Sequence, residues 1–260
     1  MESTMQTVDH LPLWAFFLVV LVIAFLSTEV GHRIGAWRLR TRGTEPQASL
    51  GTIVASVLGL LAFMLGFTFN VALSRFDERR AAILDDANSI GTTYLRADFL
   101  EEPQRSQVKR LLRQYVQVRI NGIVPGELNE ISAKSQGLQN QLWSVAAAFG
   151  KEKPNPITGL FISSLNETID MDSKRINIGI YARVPDSVWL VLFAVSMLSM
   201  LGVGYYSGQT GSRSWAEILL LVLTFALVTL LVADLDRPHE GFIKASQQPM
   251  ESLQKQIGLP

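Results

Sequence analysis

The sequence predicts an all-α membrane protein with four transmembrane helices and a helical extramembrane domain inserted between the second and the third. Three observations carry that prediction. Four apolar runs, Leu11 to Thr28, Leu50 to Ser74, Val188 to Tyr206 and Trp215 to Ala233, each approach the length a helix needs to cross a hydrocarbon core of ~30 Å. The polar stretch between the second and third runs, Arg75 to Asp186, shows helical periodicity and no sustained period-two alternation, so no strand is predicted. The composition agrees, with 48% hydrophobic residues among 260 and a positive mean hydropathy. The chain divides accordingly into helices one and two (1–75), the helical domain (76–186), helices three and four (187–234) and a tail (235–260).

The first run has no Lys or Arg before it and no A-x-A site after it, so it is expected to remain as a helix rather than be removed as a leader. Glu29, His32 and Arg33 mark its exit, and a short loop holding Arg38, Arg40 and Arg42 leads to Pro46 and to Ser49 as the cap of the second helix. That helix is expected to run without a break from its apolar half into the charged stretch that starts at Arg75.

The crossing half of the second helix is two-faced. Thr52, Ser56, Gly59, Phe63, Gly66, Asn70, Ser74 and Asp77 recur at spacings of three and four, within roughly 40° of one line at about 100° per residue. Ile53, Val57, Leu61 and Leu65 make an aliphatic opposite face. A stripe of polar and small residues on a membrane helix faces protein or water, because unsatisfied polar groups in lipid are costly. Two readings stand: close helix packing through the small residues, or a pore wall in which Phe63 or Phe67 forms an apolar constriction and Asn70 a polar contact.

Within the polar stretch, Ile83, Ala87, Ile90, Tyr94 and Ala97 form one apolar stripe that ends near Glu101-Glu102-Pro103. A helix over Pro103 to Ile120 points Val108, Leu111, Leu112, Tyr115 and Val118 inward and stops at Asn121-Gly122. The next starts near Pro125, carries Leu128, Ile131, Leu138, Leu142 and Val145, and ends by Gly150; Lys151 to Pro156 is a loop. The last, Ile157 to Arg183, holds Leu160, Phe161, Leu165, Ile169, Ile176 and Ile180.

Val184-Pro185-Asp186-Ser187 restarts a helix, with Pro near the first turn. Gly202, Gly204 and the polar segment Gly208 to Ser214 separate the third crossing from the fourth, and Trp14, Trp189 and Trp215 sit near helix ends as interface anchors. Four crossings place both termini on the side of the polar domain. In the partly amphipathic tail, Asp234, Asp236 and Arg237 stand at the exit of the fourth helix. They read either as an ion-pair cluster that ends the helix or, with Asp77 and Glu78, as a charged ring at a pore mouth.

The exclusions are as informative. Lys and Arg balance Asp and Glu at 23 each, and no basic tract indicates nucleic acid. Without cysteine there are no disulfides, thiol nucleophiles or thiolate metal sites. The three histidines, His10, His32 and His239, have no metal-ligand spacing, and no phosphate-loop, dinucleotide or nucleophile-elbow motif occurs. No enzyme, cofactor or metal is therefore predicted. On sidedness, Arg33, Arg38, Arg40, Arg42 and Arg213 in the short loops point those loops to the cytoplasm and the polar domain outward, although Arg75, Arg79, Arg80, Lys174, Arg175 and Arg183 load the other side too.

The stretch GFTFNVALSRFDERRAAILDDANSIGTTYLRADFLEEP, with DLDRPHEGFIKASQQPMESL, resembles the bacterial bestrophin-like domain membrane proteins over nearly the whole chain. These in turn are similar to bestrophin channels, and Gly66-Phe67 to Asn70 followed by Ser74-Arg75-Phe76 resembles the bestrophin second helix and its pore neck. The resemblance implies a homo-oligomer, pentameric in bestrophins, in the bacterial inner membrane, passing small inorganic ions along Thr52, Ser56, Gly59, Phe63, Gly66, Phe67, Asn70 and Ser74. It also implies a cytoplasmic helical domain, opposite to the basic-loop reading. Acidic Asp77, Glu78, Asp85 and Asp86 would concentrate cations at the mouth, or be neutralised by the interleaved Arg75, Arg79 and Arg80; bestrophins are chloride-type channels whose bacterial relatives can favour cations, and the acidic tail cluster of bestrophin calcium clasps has no equivalent in Asp234 and Asp236. The rival reading is a non-conducting membrane scaffold or sensor whose helical domain binds a partner.

Overall fold

The computed structural model describes residues 11–43, 46–120, 128–211, 213–238 and 241–258. Among these, every regular element is helical: α1 (Leu13–Arg42), α2 (Gln47–Arg96), α3 (Gln104–Ile120), α4 (Leu128–Glu152), α5 (Pro156–Ile176), α6 (Asp186–Thr210), α7 (Trp215–Asp236) and α8 (Gln248–Gln256). A 3-10 turn, Ala97–Phe99, follows α2, and a π-helical turn, Asn177–Tyr181, follows α5. The chain forms two compact units, residues 1–75 with 183–243, and residues 76–182 with 244–260.

The first unit holds α1, the apolar half of α2, α6 and α7, the four helices long and apolar enough to cross a membrane. α1 runs further than its apolar stretch. Arg38, Arg40 and Arg42, expected in a loop, occupy its last turns, because Arg is a good helix former and a cation is favoured where helix carbonyls end. Gly43, at φ +80°, then closes it. Ser49 is likewise not the cap of α2: the helix has already begun at Gln47, and the Ser49 N–H donates to the Pro46 carbonyl at 3.1 Å.

α6 also outruns its expected end near Tyr206, continuing through Gly202, Gly204 and Gly208 to Thr210, where Gly211 at φ +67° stops it. The reason is packing. A Cβ at Gly204 would fall on the Thr28 carbonyl and one at Gly208 on the His32 carbonyl, while Cβ atoms at Gly31 and Gly35 of α1 would fall on the carbonyls of Leu201 and Tyr205. Two G-x-x-x-G pairs thus bring the backbones of α1 and α6 into direct contact. The buried Gln209 amide donates to the Gly35 carbonyl at 3.2 Å across the same seam. At the far end, Phe16, Trp189 and Phe193 pack ring on ring. Trp189 is 2% exposed, so it is a core residue and not the interface anchor expected of it; Trp14 and Trp215 are exposed.

The second unit is a helical cluster around Ile90, Leu112, Tyr115, Leu142, Phe161 and Leu165. The stripes of α2 and α3 point inward as their spacing requires, with Val118 only half-buried and Arg119 taking the inward position beside it. Leu160, expected inside, is exposed: α5 turns Phe161 and Leu165 to the core instead. Asn155 caps α5 by accepting the Thr158 N–H at 2.8 Å, with Pro156 in the first turn. α4 continues to Glu152, so the loop before α5 is shorter than expected. Met250, Leu253 and Ile257 carry the end of the chain into this core. The stop at Asn121-Gly122 and the onset near Pro125 lie outside the described residues.

Candidate functional site

α2 stands apart from the other three apolar helices. Of its most apolar 18-residue window, 6% is buried, against 28% for α1, 33% for α6 and 50% for α7. The exposed part includes all eight expected pore-lining residues, Thr52, Ser56, Gly59, Phe63, Gly66, Phe67, Asn70 and Ser74, which are the polar stripe up to Ser74 together with Phe67. Phe63 is 68% and Phe67 53% exposed. The inward residues of this half are Leu61, Thr68 and Ala72; of the expected aliphatic face, Val57 and Leu65 are half-buried and Ile53 is exposed.

The stripe's polar groups differ in what they demand. The Thr52 hydroxyl donates to the Ala48 carbonyl and the Ser56 hydroxyl to the Thr52 carbonyl, both at 2.8 Å. Bonded within their own helix, these hydroxyls are tolerable even against lipid. Asn70 has a larger requirement, since a carboxamide brings two donors and an acceptor. Exposed on the face of a crossing helix, it calls for protein or water opposite. Two aromatic rings one turn apart, followed by an amide, give that face an apolar collar and then a polar ring if copies are brought around it.

The four mouth candidates separate into two kinds. Asp77 is exposed and Glu78 half-buried. Asp234 and Asp236, in the last turn of α7, are 3% and 0% exposed and are spent on their own chain. Asp234 accepts the N–H groups of Phe242 at 2.8 Å and Ile243 at 3.1 Å, and a Cβ at Gly241, whose φ is +145°, would strike its Oδ1. Asp236 accepts the Val184 N–H at 2.8 Å and pairs with Arg183 at 3.2 Å. Arg237 reaches back to the Leu11 carbonyl at 2.6 Å. The pair therefore works as the helix-ending ion cluster, presenting no outward carboxylate.

Asp86 needs the same correction as an acidic lure for cations. It is fully buried in the second unit, where its Oδ2 receives Arg119 Nη2 at 2.8 Å, Arg119 Nε at 3.0 Å and Arg175 Nη1 at 2.9 Å. Asp85 faces outward against Lys174 at 3.1 Å. Arg119 also pairs with Asp172, whose other oxygen takes the Gln139 amide at 2.7 Å; that amide also donates to the Tyr115 hydroxyl at 3.0 Å. Arg175 donates to Gln247 at 3.3 Å, so α2, α3, α4, α5 and the approach to α8 all supply a member. Burial, aided by the nearby carboxylates, pushes the Tyr115 phenol well above its usual range. Burial also opposes the charge on both arginines. Asp86, with the further charges around it, reverses that for Arg119, while the like charge of Arg119 adds to it for Arg175.

Sequence reading did not find this network. Its signal was a charge in phase with an apolar stripe: Asp86 lies between Ile83 and Ile90, Arg119 one turn after Tyr115, and Asp172 one turn after the buried Thr168.

Four apolar helices of crossing length and an all-helical second unit define an integral membrane protein. The chain belongs to the bestrophin-like domain family, whose sequence profile matches residues 13–250. No curated protein matches its sequence significantly. Solved structures share the fold at low identity. One, known as a membrane protein, superposes with a TM-score of 0.66 at 14% identity over 92% of this chain and 96% of its own. A variant of a bacterial bestrophin homologue from Klebsiella pneumoniae gives 0.62 at 14% identity over 93% and 96%. A structure of a bacterial bestrophin homologue from that organism phased on zinc gives 0.60 at 14% identity over 93% and 94%.

Proposed function

We propose that this protein is an ion channel: copies of the chain assemble in the bacterial inner membrane with the α2 stripe turned to a common axis, and small inorganic ions pass along it. The observation that carries the reading is the exposure of all eight stripe residues, Asn70 above all, on a helix whose polar face finds no cover within its own chain. Phe63 and Phe67 supply the apolar collar, where passage depends on hydration, and Asn70 the polar ring next to it. Asp77 and Glu78, next along α2 after the stripe, bias the charge where ions enter. Asp234 and Asp236 hold the frame. The family resemblance supports a ring of five.

A scaffold or sensor is the second reading. It is favoured by the intrahelical bonds of Thr52 and Ser56 and by the bare Gly59 and Gly66, which suit close packing of α2 against another helix. Flux through purified protein in liposomes under KCl and NaCl gradients, with a large-anion control, separates the two. A channel gives a selective flux that Phe63→Ala raises and Asn70→Leu lowers without loss of assembly, and its reversal potential assigns cation or anion. Folded oligomer with no flux, or flux indifferent to both substitutions, overturns the assignment.

A further inference from the structure

We infer that the last turns of α1 bind the phosphate of an anionic phospholipid of the surrounding bilayer, through Arg33 and Arg40, with Trp37 seated between them. The outward face of α1 is apolar and exposed at Val19, Val22, Leu26 and Val30. The same line, in steps of three and four, continues as Arg33, Trp37 and Arg40. All three are exposed, Trp37 by 64%.

Depth fits as well as direction. From Leu13 to Arg33 the helix rises about 30 Å, one hydrocarbon thickness, which puts Trp37 about 6 Å and Arg40 about 10 Å further out, among headgroups. Trp belongs at that level, and a guanidinium is the side chain best matched to a phosphodiester.

The group is held in place. Glu29 takes Arg33 Nε at 2.8 Å and pairs with Arg213 of the α6–α7 loop. Arg213 in turn lies over the Trp215 ring at 3.7 Å. The Arg33 side chain remains 78% exposed beyond that one bond. Across 29–42 and 213–217, five arginines (33, 38, 40, 42 and 213) face two carboxylates, Glu29 and Glu217. That surplus favours a headgroup with net negative charge over a zwitterion. An acyl chain from the same lipid lies along Val22 and Leu26, which a free phosphate cannot occupy.

The test uses the full-length protein in detergent with equimolar phosphatidylglycerol and phosphatidylcholine of identical chains, read by native mass spectrometry of retained lipid. Wild-type protein retains severalfold more phosphatidylglycerol. Arg33→Gln/Arg40→Gln loses the preference, and so, in part, does Arg40→Gln alone, which leaves the Glu29 bridge intact; Arg80→Gln, an exposed arginine of the second unit, keeps it. Equal retention of both lipids by the wild type, or an unchanged preference in the double variant, overturns the proposal. Displacement by millimolar inorganic phosphate as effectively as by phosphatidylglycerol overturns the lipid as the ligand.

Discussion

The carboxylate of Asp236 accepts the backbone N–H of Val184 at 2.8 Å, so the last residue of α7 fastens the chain just before α6 begins. With Arg183 on its other oxygen, Asp236 is a fully buried member of an ion pair whose arginine is 8% exposed. Asp236→Ala removes this carboxylate from a buried guanidinium and from the Val184 N–H. The expected loss is about 3–5 kcal/mol, seen as a lowered thermal midpoint in detergent. Asp77→Ala, at an exposed site, leaves the midpoint where it was.

Gly204 sits against the Thr28 carbonyl with no space for a side chain. Gly204→Ala forces α1 and α6 apart and costs at least about 1–3 kcal/mol. Gly59→Ala, on the exposed face of α2 with nothing within 4 Å of an added Cβ, is neutral or slightly stabilising in the isolated protomer. Thermal melts of the two variants side by side check the pair.

The sequence showed the crossings but not this seam. Long apolar runs reveal a membrane helix because lipid imposes one chemistry along its length, and those runs located all four. Glycines in α6 look like a break when only local propensity is considered. Their role depends on which helix lies opposite, although the repeated four-residue spacing of Gly31 with Gly35 and of Gly204 with Gly208 was there to be matched. Arg38 to Arg42 misled for a related reason: charge ends an apolar run, but it does not end a helix. Residues 52 to 74 stood out because one face differs from the rest, whereas the Asp86 network needs polar side chains from five separate segments, its charges from three of them, and no single stretch foretells their convergence.

That network yields a sharp contrast. Asp86→Ala leaves the two buried arginines, Arg119 and Arg175, with Asp172 as the one carboxylate of the network and lowers stability by about 3–5 kcal/mol. Replacing the buried charges together, as Asp86→Leu/Arg119→Met/Asp172→Leu/Arg175→Met, removes most of that penalty. Denaturant titration of the helical signal distinguishes them; equal losses in both would mean that the charges do not act as a unit.

Tyr115 adds a pH dependence of known sign. Folding holds the phenol neutral above its ordinary range, mainly through burial. Its share of stability is therefore complete below the unfolded value of ~10 and declines as pH rises past it, because only the unfolded chain then releases the proton. Tyr115→Phe flattens the stability curve above pH ~10, at the cost near neutrality of the Gln139 hydrogen bond, about 1 kcal/mol. Thermal midpoints from pH 8 to 11 give the two slopes.

The α1–α6 seam has a mechanical consequence. Where side chains interdigitate, helices can slide by changing rotamers, but backbone against backbone offers no such play, and the Gln209 amide latches the two at Gly35. α1 and α6 must therefore turn or tilt together. Of the four crossing helices, α2 is the one least of whose surface is held by its own chain.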